Sequence, residues 1–93
     1  MIVDWQDKEA LKIWNMQPST RLPPEIQQRV RQKLILIDAA ISLSDLKSPP
    51  SNSLEALKHD RKCPYSIRIN SQWRICFEWN NGRVVIVDIV DYH

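Results

Sequence analysis

The second half of the chain, from residue 54 onward, alternates short β-prone runs with turn residues, and no other feature limits the fold as strongly. Asn81-Gly82 separates two such runs and indicates a two-residue hairpin, and Asn70-Ser71 indicates another tight turn. Strands joined by turns this short pair antiparallel. The pattern therefore predicts a four-stranded antiparallel meander with strands at residues 54–58, 65–69, 72–79 and 83–90.

The first half of the chain predicts one short strand and two helices. Residues 1–5 alternate as a strand, Asp7 is placed to cap a helix that runs through Trp14, and Pro23-Pro24 opens a second helix where a missing N–H does no harm. Apolar side chains recur every three or four residues in the second helix and predict a buried face, formed by Ile26, Val30, Leu34 and Ile37. We expect this helix to pack on the meander.

Polar segments follow the second helix. Ser42 or Ser44 is expected to cap one short turn, and two prolines among small polar residues predict an irregular loop at residues 48–53. The loop is too short to separate two domains. The expected architecture is a single α+β domain over residues 1–93, with a short N-terminal strand and two helices packed on the meander.

Composition limits which partners the protein can bind and where in the cell it can be located. The net charge is only +2, so a surface for nucleic acid has to come from local clusters of basic side chains. Two cysteines are too few for a disulfide-stapled scaffold, and the N-terminus lacks the pattern of a signal peptide. No apolar run approaches the roughly 20 residues that cross a bilayer. We therefore expect a cytoplasmic protein with no membrane partner.

The C-terminal residues Asp91-Tyr92-His93 are the first candidates for chemistry. They follow an apolar, β-branched run at residues 84–90 that reads as a buried strand, so the strand would deliver ionisable groups to the edge of the sheet. Imidazole titrates near neutrality, and His93 could therefore give or take a proton at cellular pH. The alternative is a frayed and solvated tail.

Two arginines flank the predicted turn at Asn70-Ser71. Arg68 and Arg74 both fall on the polar side of their strands, and antiparallel pairing places them on a common surface. Converging guanidinium groups bind phosphate and stabilise growing negative charge. The alternative is an ion pair with Glu78 or Asp88.

The densest cluster of charge lies at residues 58–62. Lys58 could neutralise a phosphate, Arg61 and Lys62 could bind neighbouring phosphates of a nucleic-acid backbone, and His59 could serve as a second acid or base. Such a run is otherwise an exposed turn. A zinc site built from both histidines and both cysteines is disfavoured, because the spacing fits no close-paired site and Cys76 lies in mid-strand, where a free cysteine fills core space. We expect no metal or other cofactor.

Several separated motifs resemble HigB toxins of the RelE-like superfamily, and they occur in order along nearly the whole chain. They are Leu54-Glu55-Ala56-Leu57-Lys58-x-Asp60-Arg61, then Tyr65-Ser66-Ile67-Arg68-Ile69-Asn70-x-Gln72-Trp73-Arg74-Ile75-Cys76-Phe77, then Asp91-Tyr92-His93. The resemblance implies a RelE-like fold. This chain departs from the family pattern where His59 replaces the usual glycine and where Cys63-Pro64-Tyr65 replaces a segment that normally has Gly or Gln and Trp.

The resemblance also implies a function. It suggests a ribosome-dependent endoribonuclease that cuts mRNA in the A site, near 16S rRNA, by metal-free attack of the 2′-hydroxyl. A HigA-like helix-turn-helix antitoxin would silence it, and operator DNA would be bound only through that antitoxin. The family's catalytic positions match Lys58, Arg74, Asp91, Tyr92 and His93 in this chain, and Arg68 matches a basic position on the same strand. The alternatives are a non-catalytic module that binds ribosomes or RNA, and a decayed toxin kept for antitoxin binding.

Overall fold

The computed structural model describes residues 1–57 and 62–91, and within them the chain forms one mixed sheet with two α-helices. The strands lie in the order β1-β5-β4-β3-β2. Their bounds are β1 Ile2–Trp5, β2 Glu55–Ala56, β3 Tyr65–Arg68, β4 Trp73–Asn80 and β5 Arg83–Asp91. The helices are α1, Lys8–Trp14, and α2, Pro24–Ala39. The predicted α+β class is confirmed.

The sheet differs from the predicted meander at both edges. β1 joins it as a fifth strand, parallel to β5, with Ile2 opposite Val84 and Trp5 opposite Ile86. This pairing satisfies backbone groups of β5 that would otherwise form an unpaired edge. At the other edge a strand is predicted at residues 54–58, and within its described residues 54–57 only Glu55–Ala56 forms a strand, which pairs with β3.

Asp7 begins α1 and also joins this helix to the sheet. Its Oδ1 accepts hydrogen bonds from the backbone N–H groups of Glu9 and Ala10, at 2.9 and 3.2 Å, so the predicted N-cap is confirmed. Its Oδ2 accepts the N–H of Ile89 in β5 at 2.9 Å. One carboxylate therefore fixes the start of the helix and the C-terminal half of the strand that leads to Asp91.

The predicted apolar face of α2 is confirmed, because Ile26, Val30, Leu34 and Ile37 are all buried. They pack into one core with apolar side chains of the sheet, among them Ile67, Ile75, Phe77 and Ile86. Full burial of a side chain of this size stabilises a protein by about 1.5–3 kcal/mol. The core thus lies between the helices and one face of the sheet, and the opposite face of β3 and β4 is left for other roles.

The segment between α2 and the sheet contains two short 3-10 helices, Leu43–Lys47 and Pro50–Asn52. Ser42 caps the first one in a capping box with Asp45, as predicted. The second lies in the stretch predicted as an irregular loop. Asn52 is fully buried there, and its side-chain amide donates to the carbonyl oxygens of Leu46 and Ser48. This buried amide anchors the segment that leads into β2.

The prediction of free cysteines was wrong. Cys63 and Cys76 form a disulfide bond, with their Cα atoms 5.0 Å apart. The residue pattern could not predict it, because the bond depends on how the segment before β3 returns over β4. Cys76 is 2% exposed, so its predicted burial is correct. In this state neither sulfur is available to a metal ion, and the remaining ligands considered for zinc, His59 and His93, lie outside the described residues.

Within residues 1–57 and 62–91, neither helix is long and apolar enough to cross a membrane.

Candidate phosphate-binding site on β3 and β4

Arg68 and Arg74 lie directly opposite each other on the antiparallel strands β3 and β4. Cross-strand partners point to the same side of a sheet, so the predicted common surface is confirmed. Arg68 is exposed, and its Nε donates to the carbonyl oxygen of Asn70 at 2.9 Å, across the turn. Arg74 is only 5% exposed. One guanidinium group therefore lies at the surface and the other lies beneath it.

The protein holds the guanidinium group of Arg74 in one orientation. Its Nε donates to the Ser66 hydroxyl at 2.9 Å, and its Nη2 donates to the carbonyl oxygens of Ser66, at 3.3 Å, and of Ser53. Its Nη1 lies 3.7 Å from a carboxylate oxygen of Glu55. The ion pair considered as the alternative role of Arg74 thus exists, but its acid is Glu55 and neither Glu78 nor Asp88.

The contact with Glu55 is the weakest of these interactions. At 3.7 Å it exceeds hydrogen-bond length, and the side chain of Glu55 is 43% exposed. Ion pairs with a solvated partner contribute about 0–1 kcal/mol. A phosphate oxygen can compete with Glu55 for Nη1, whereas the uncharged acceptors from Ser53 and Ser66 keep the guanidinium plane in place. The arrangement suits transient binding of an anion by an oriented cation.

A cavity of about 350 Å³ lies over these groups. Both arginines line it, with Glu55 from β2 and small polar residues of the adjoining loops, namely Ser53, Asn70 and Ser71. Asn70 organises the turn, because its side-chain oxygen accepts from the backbone N–H groups of Gln72 and Trp73, each at 2.8 Å. The tight turn predicted at Asn70-Ser71 therefore forms one wall of the site.

Asp91 ends β5 and lies opposite Trp73, next to the strand position that pairs with Arg74. Neighbouring side chains on a strand point to opposite faces, so Asp91 shares the face of Trp73 and not that of Arg74. Its carboxylate accepts a hydrogen bond from the Gln72 side chain at 2.9 Å. The structure thus brings Asp91 to the same end of the sheet as the two arginines, without contact between its carboxylate and Arg74 in the described structure.

Lys62 is exposed, and its neighbour Cys63 is joined by the disulfide to Cys76. The disulfide therefore holds Lys62 near the face of the sheet that carries Arg74. Cys76 lies two residues beyond Arg74 and points to the same face. Lys62 and both cysteines line a separate cavity of about 550 Å³, together with Glu78 and Asp88 and without either arginine. The other predicted site residues lie outside the described part of the chain: Lys58, His59, Arg61, Tyr92 and His93.

The residues that position Arg74 were not among those predicted from the sequence. Ser66 is fully buried, and its alternation with Arg68 along β3 placed it on the same polar face, so strand parity alone could have identified it. Glu55 and Ser53 could not be found in this way. They meet Arg74 only because β2 is the edge strand beside β3, and this pairing depends on the whole sheet.

A second charged cluster joins α1 to β5. The Arg21 guanidinium group contacts Asp7 at 2.5 Å and Asp88 at 3.5 Å. Burial alone raises the pKa of Asp7, but hydrogen bonds from Arg21, Ile89 and Ala10 outweigh it and hold the pKa below its usual value. Burial and the nearby Asp7 raise the pKa of Asp88. Asp7 and Arg21 form an ion pair, and Asp7 also accepts a hydrogen bond from Ile89 in β5. We therefore interpret the cluster as a structural clamp on β5.

Comparison with known proteins agrees with this architecture. The family model for HigB-like toxins, described as RelE-like toxins of type II toxin–antitoxin systems, matches residues 3–93. Toxin HigB-1 of Vibrio cholerae is 35% identical over 94 residues, which cover 100% of this chain and 98% of that protein. Endoribonuclease HigB of Proteus vulgaris is 29% identical over 93 residues, which cover 100% of both chains.

Proposed function

The chain belongs to the HigB-like family of RelE-like toxins, and from this premise we propose that it is a ribosome-dependent endoribonuclease that cuts mRNA in the A site. The observation that supports this best is the opposed pair of Arg68 and Arg74, with the buried guanidinium group held in a fixed orientation under a polar cavity. A fixed cation under an open cavity is what the transition state of phosphodiester cleavage requires.

The proposed reaction uses the RNA's own 2′-hydroxyl as nucleophile. The 2′-oxygen bonds to the adjacent phosphorus while a base takes its proton. The bond from phosphorus to the 5′-oxygen breaks, and an acid gives that oxygen a proton. The products are a 2′,3′-cyclic phosphate and a 5′-hydroxyl. The steps need only proton transfer, charge neutralisation and alignment, which side chains supply, so we propose cleavage without a metal cofactor.

We assign these tasks to the residues identified above. Arg74 neutralises the pentavalent phosphorane once the phosphate displaces Glu55 from its Nη1, and Lys58 adds a second positive charge. Arg68, Arg61 and Lys62 bind neighbouring backbone phosphates. His93 is proposed as the main acid or base, Tyr92 as a stacking or proton-relay group, and Asp91 as the group that orients the RNA or His93.

The proposed antitoxin is a HigA-like helix-turn-helix protein, which would also be the only route to operator DNA. Growth tests this directly: induction of the chain alone is expected to arrest growth, and co-expression of a neighbouring helix-turn-helix gene is expected to restore it. Arrest that such a gene leaves unchanged would remove the antitoxin from the proposal.

Mapping of RNA ends separates cleavage from inhibition by occupancy. A purified translation system is given the wild-type protein and one defined transcript, and 5′ ends are located by primer extension. We expect new ends at discrete codon positions, and only on transcripts that are being translated. Arrested translation with intact transcripts would instead identify a non-catalytic inhibitor bound to the ribosome.

A further inference from the structure

A second cavity, of about 520 Å³, lies between α2 and the turn that joins β3 to β4. Three basic side chains line it: Arg29 and Lys33 from α2, and Arg68 from β3. The rest of the lining is polar apart from Ile69, and no described acidic residue contributes to it. Arg29 and Lys33 lie on α2 outside the buried face that Ile26, Val30, Leu34 and Ile37 form.

The positive charge in this cavity is not neutralised by the described protein. No carboxylate oxygen of residues 1–57 and 62–91 lies within 4.0 Å of a charged nitrogen of Arg29, Lys33 or Arg68. Lys33 donates to the neutral amide oxygen of Asn52, and Arg29 donates to the carbonyl oxygen of Ile69 at 3.5 Å. Burial lowers the pKa of Lys33, and the neighbouring Arg29 lowers it further, as expected for a partly buried cation beside a second cation.

The cavity adjoins the site over Arg74. Arg68, Asn70 and Ser71 line both cavities, so the side chain of Arg68 stands between them. A single polyanionic strand that places one phosphate over Arg74 therefore has a path around the turn to the second basic cavity. Surfaces that bind proteins present aromatic or aliphatic anchors, and this lining offers only Ile69.

We infer that the cavity formed by Arg29, Lys33 and Arg68 is a second phosphate subsite, which binds a backbone phosphate of the same RNA strand away from the bond that is cut. The inference rests on the proposed function, because it assigns the ligand of this cavity to the RNA substrate. The subsite adds affinity and fixes the direction of the strand, and it takes no part in bond breaking.

Binding of a short single-stranded RNA that is 2′-O-methylated throughout tests the subsite without any chemistry. Fluorescence anisotropy over a series of salt concentrations compares the wild type with Arg29→Gln and with Arg29→Gln/Lys33→Gln. We expect weaker binding by both variants and, for the double variant, a salt slope that is smaller by about 0.7, the value for one lost single-strand phosphate contact. Arg83→Gln is the control, because Arg83 is exposed at the far end of β5.

The single variant Arg29→Gln is included because it does not remove the hydrogen bond from Lys33 to Asn52. Weaker binding by this variant therefore cannot come from the loss of that contact. A dinucleotide probe adds a second comparison: it is too short to reach both cavities, so the double variant should lose less affinity for it than for the longer RNA. Equal affinity and salt slope of all proteins for the longer RNA would overturn the inference. An acidic peptide that binds this cavity while RNA affinity is unchanged would also overturn it, in favour of a protein partner.

Cleavage in the translation system distinguishes failure of the subsite from failure of the proposed function. The subsite predicts that Arg29→Gln/Lys33→Gln needs more protein for half-maximal cleavage but keeps the same limiting rate and cut positions. Wild-type cleavage with an unaffected double variant would reject the subsite alone. Absence of cleavage by the wild type would reject the nuclease, and the anisotropy comparison would still decide whether the cavity binds RNA.

Discussion

Arg74 is the residue on which the proposed chemistry depends, and its role follows from its contacts. Uncharged acceptors from Ser53 and Ser66 fix the guanidinium group, and the carboxylate of Glu55 lies 3.7 Å from its Nη1. The fixed contacts set the direction in which Arg74 binds phosphate. The weak contact with Glu55 can be replaced by a contact with a substrate oxygen.

Ser66→Ala tests the fixed contacts. The hydroxyl accepts from Nε of Arg74 in a fully buried position, and a buried donor that loses its partner costs about 1–3 kcal/mol. We expect the cleavage rate to fall by about tenfold or more, with little change in the protein concentration that gives half-maximal cleavage. Ser44→Ala, at an exposed serine, is the control, and a rate for Ser66→Ala equal to that of the control would remove Ser66 as a positioning residue.

Glu55→Gln tests the exchangeable contact. The substitution removes the negative charge that competes with a phosphate for Nη1 of Arg74 and leaves the size of the side chain almost unchanged. We expect several-fold tighter binding of the 2′-O-methylated RNA at low salt, and a difference that shrinks as salt screens the charge. Weaker binding by Glu55→Gln would show that the carboxylate positions Arg74 and does not compete with RNA.

At the scale of elements, Asp7 fixes the position of the C-terminal half of β5 relative to α1. Its carboxylate caps α1, accepts the N–H of Ile89 and contacts Arg21, so it connects three segments in one buried position. Since β5 ends at Asp91, the clamp also positions this candidate residue of the site.

Asp7→Asn is expected to lower the free energy of unfolding at pH 7 by about 2–4 kcal/mol, because it removes a buried charge from its partner and one acceptor from the network. The pKa of Asp7 is lowered in the folded state, so its contribution is complete above the pKa of the unfolded chain, about 4, and is lost as the pH falls through the lower folded value.

Urea unfolding at neutral and acidic pH measures both effects. The loss of unfolding free energy that Asp7→Asn causes relative to the wild type should therefore become smaller as the pH is lowered. Asp4→Asn, at an exposed aspartate in β1, is the control and should change stability little at either pH. A deficit for Asp7→Asn that stays constant down to the acid limit would contradict the proposed role of its ionised carboxylate.

At the scale of the whole molecule, features set by neighbouring residues could be predicted and features set by long-range contact could not. The spacing of Ile26, Val30, Leu34 and Ile37 defines the buried face of α2, and Asn81-Gly82 defines a hairpin, because both depend on local geometry. The opposition of Arg68 and Arg74 follows from one tight turn.

Three features needed the complete fold. β1 pairs with β5 across almost the full length of the chain, the disulfide joins two segments whose approach depends on sheet packing, and Glu55 reaches Arg74 only through the edge strand β2. None of these contacts leaves a periodic pattern in the sequence. The family resemblance supplied the expected function, while the basic cavity beside α2 became visible only with the structure.

Single-turnover cleavage of a transcript bound to the ribosome, measured for the wild type, Arg74→Gln and the control Arg83→Gln, decides whether Arg74 takes part in the reaction. We expect Arg74→Gln to lower the cleavage rate by about 100-fold or more, as for loss of a group that stabilises transition-state charge, while Arg83→Gln cleaves at the wild-type rate. Cleavage by folded Arg74→Gln at the wild-type rate would contradict the claim that the opposed arginines of β3 and β4 form the nuclease site.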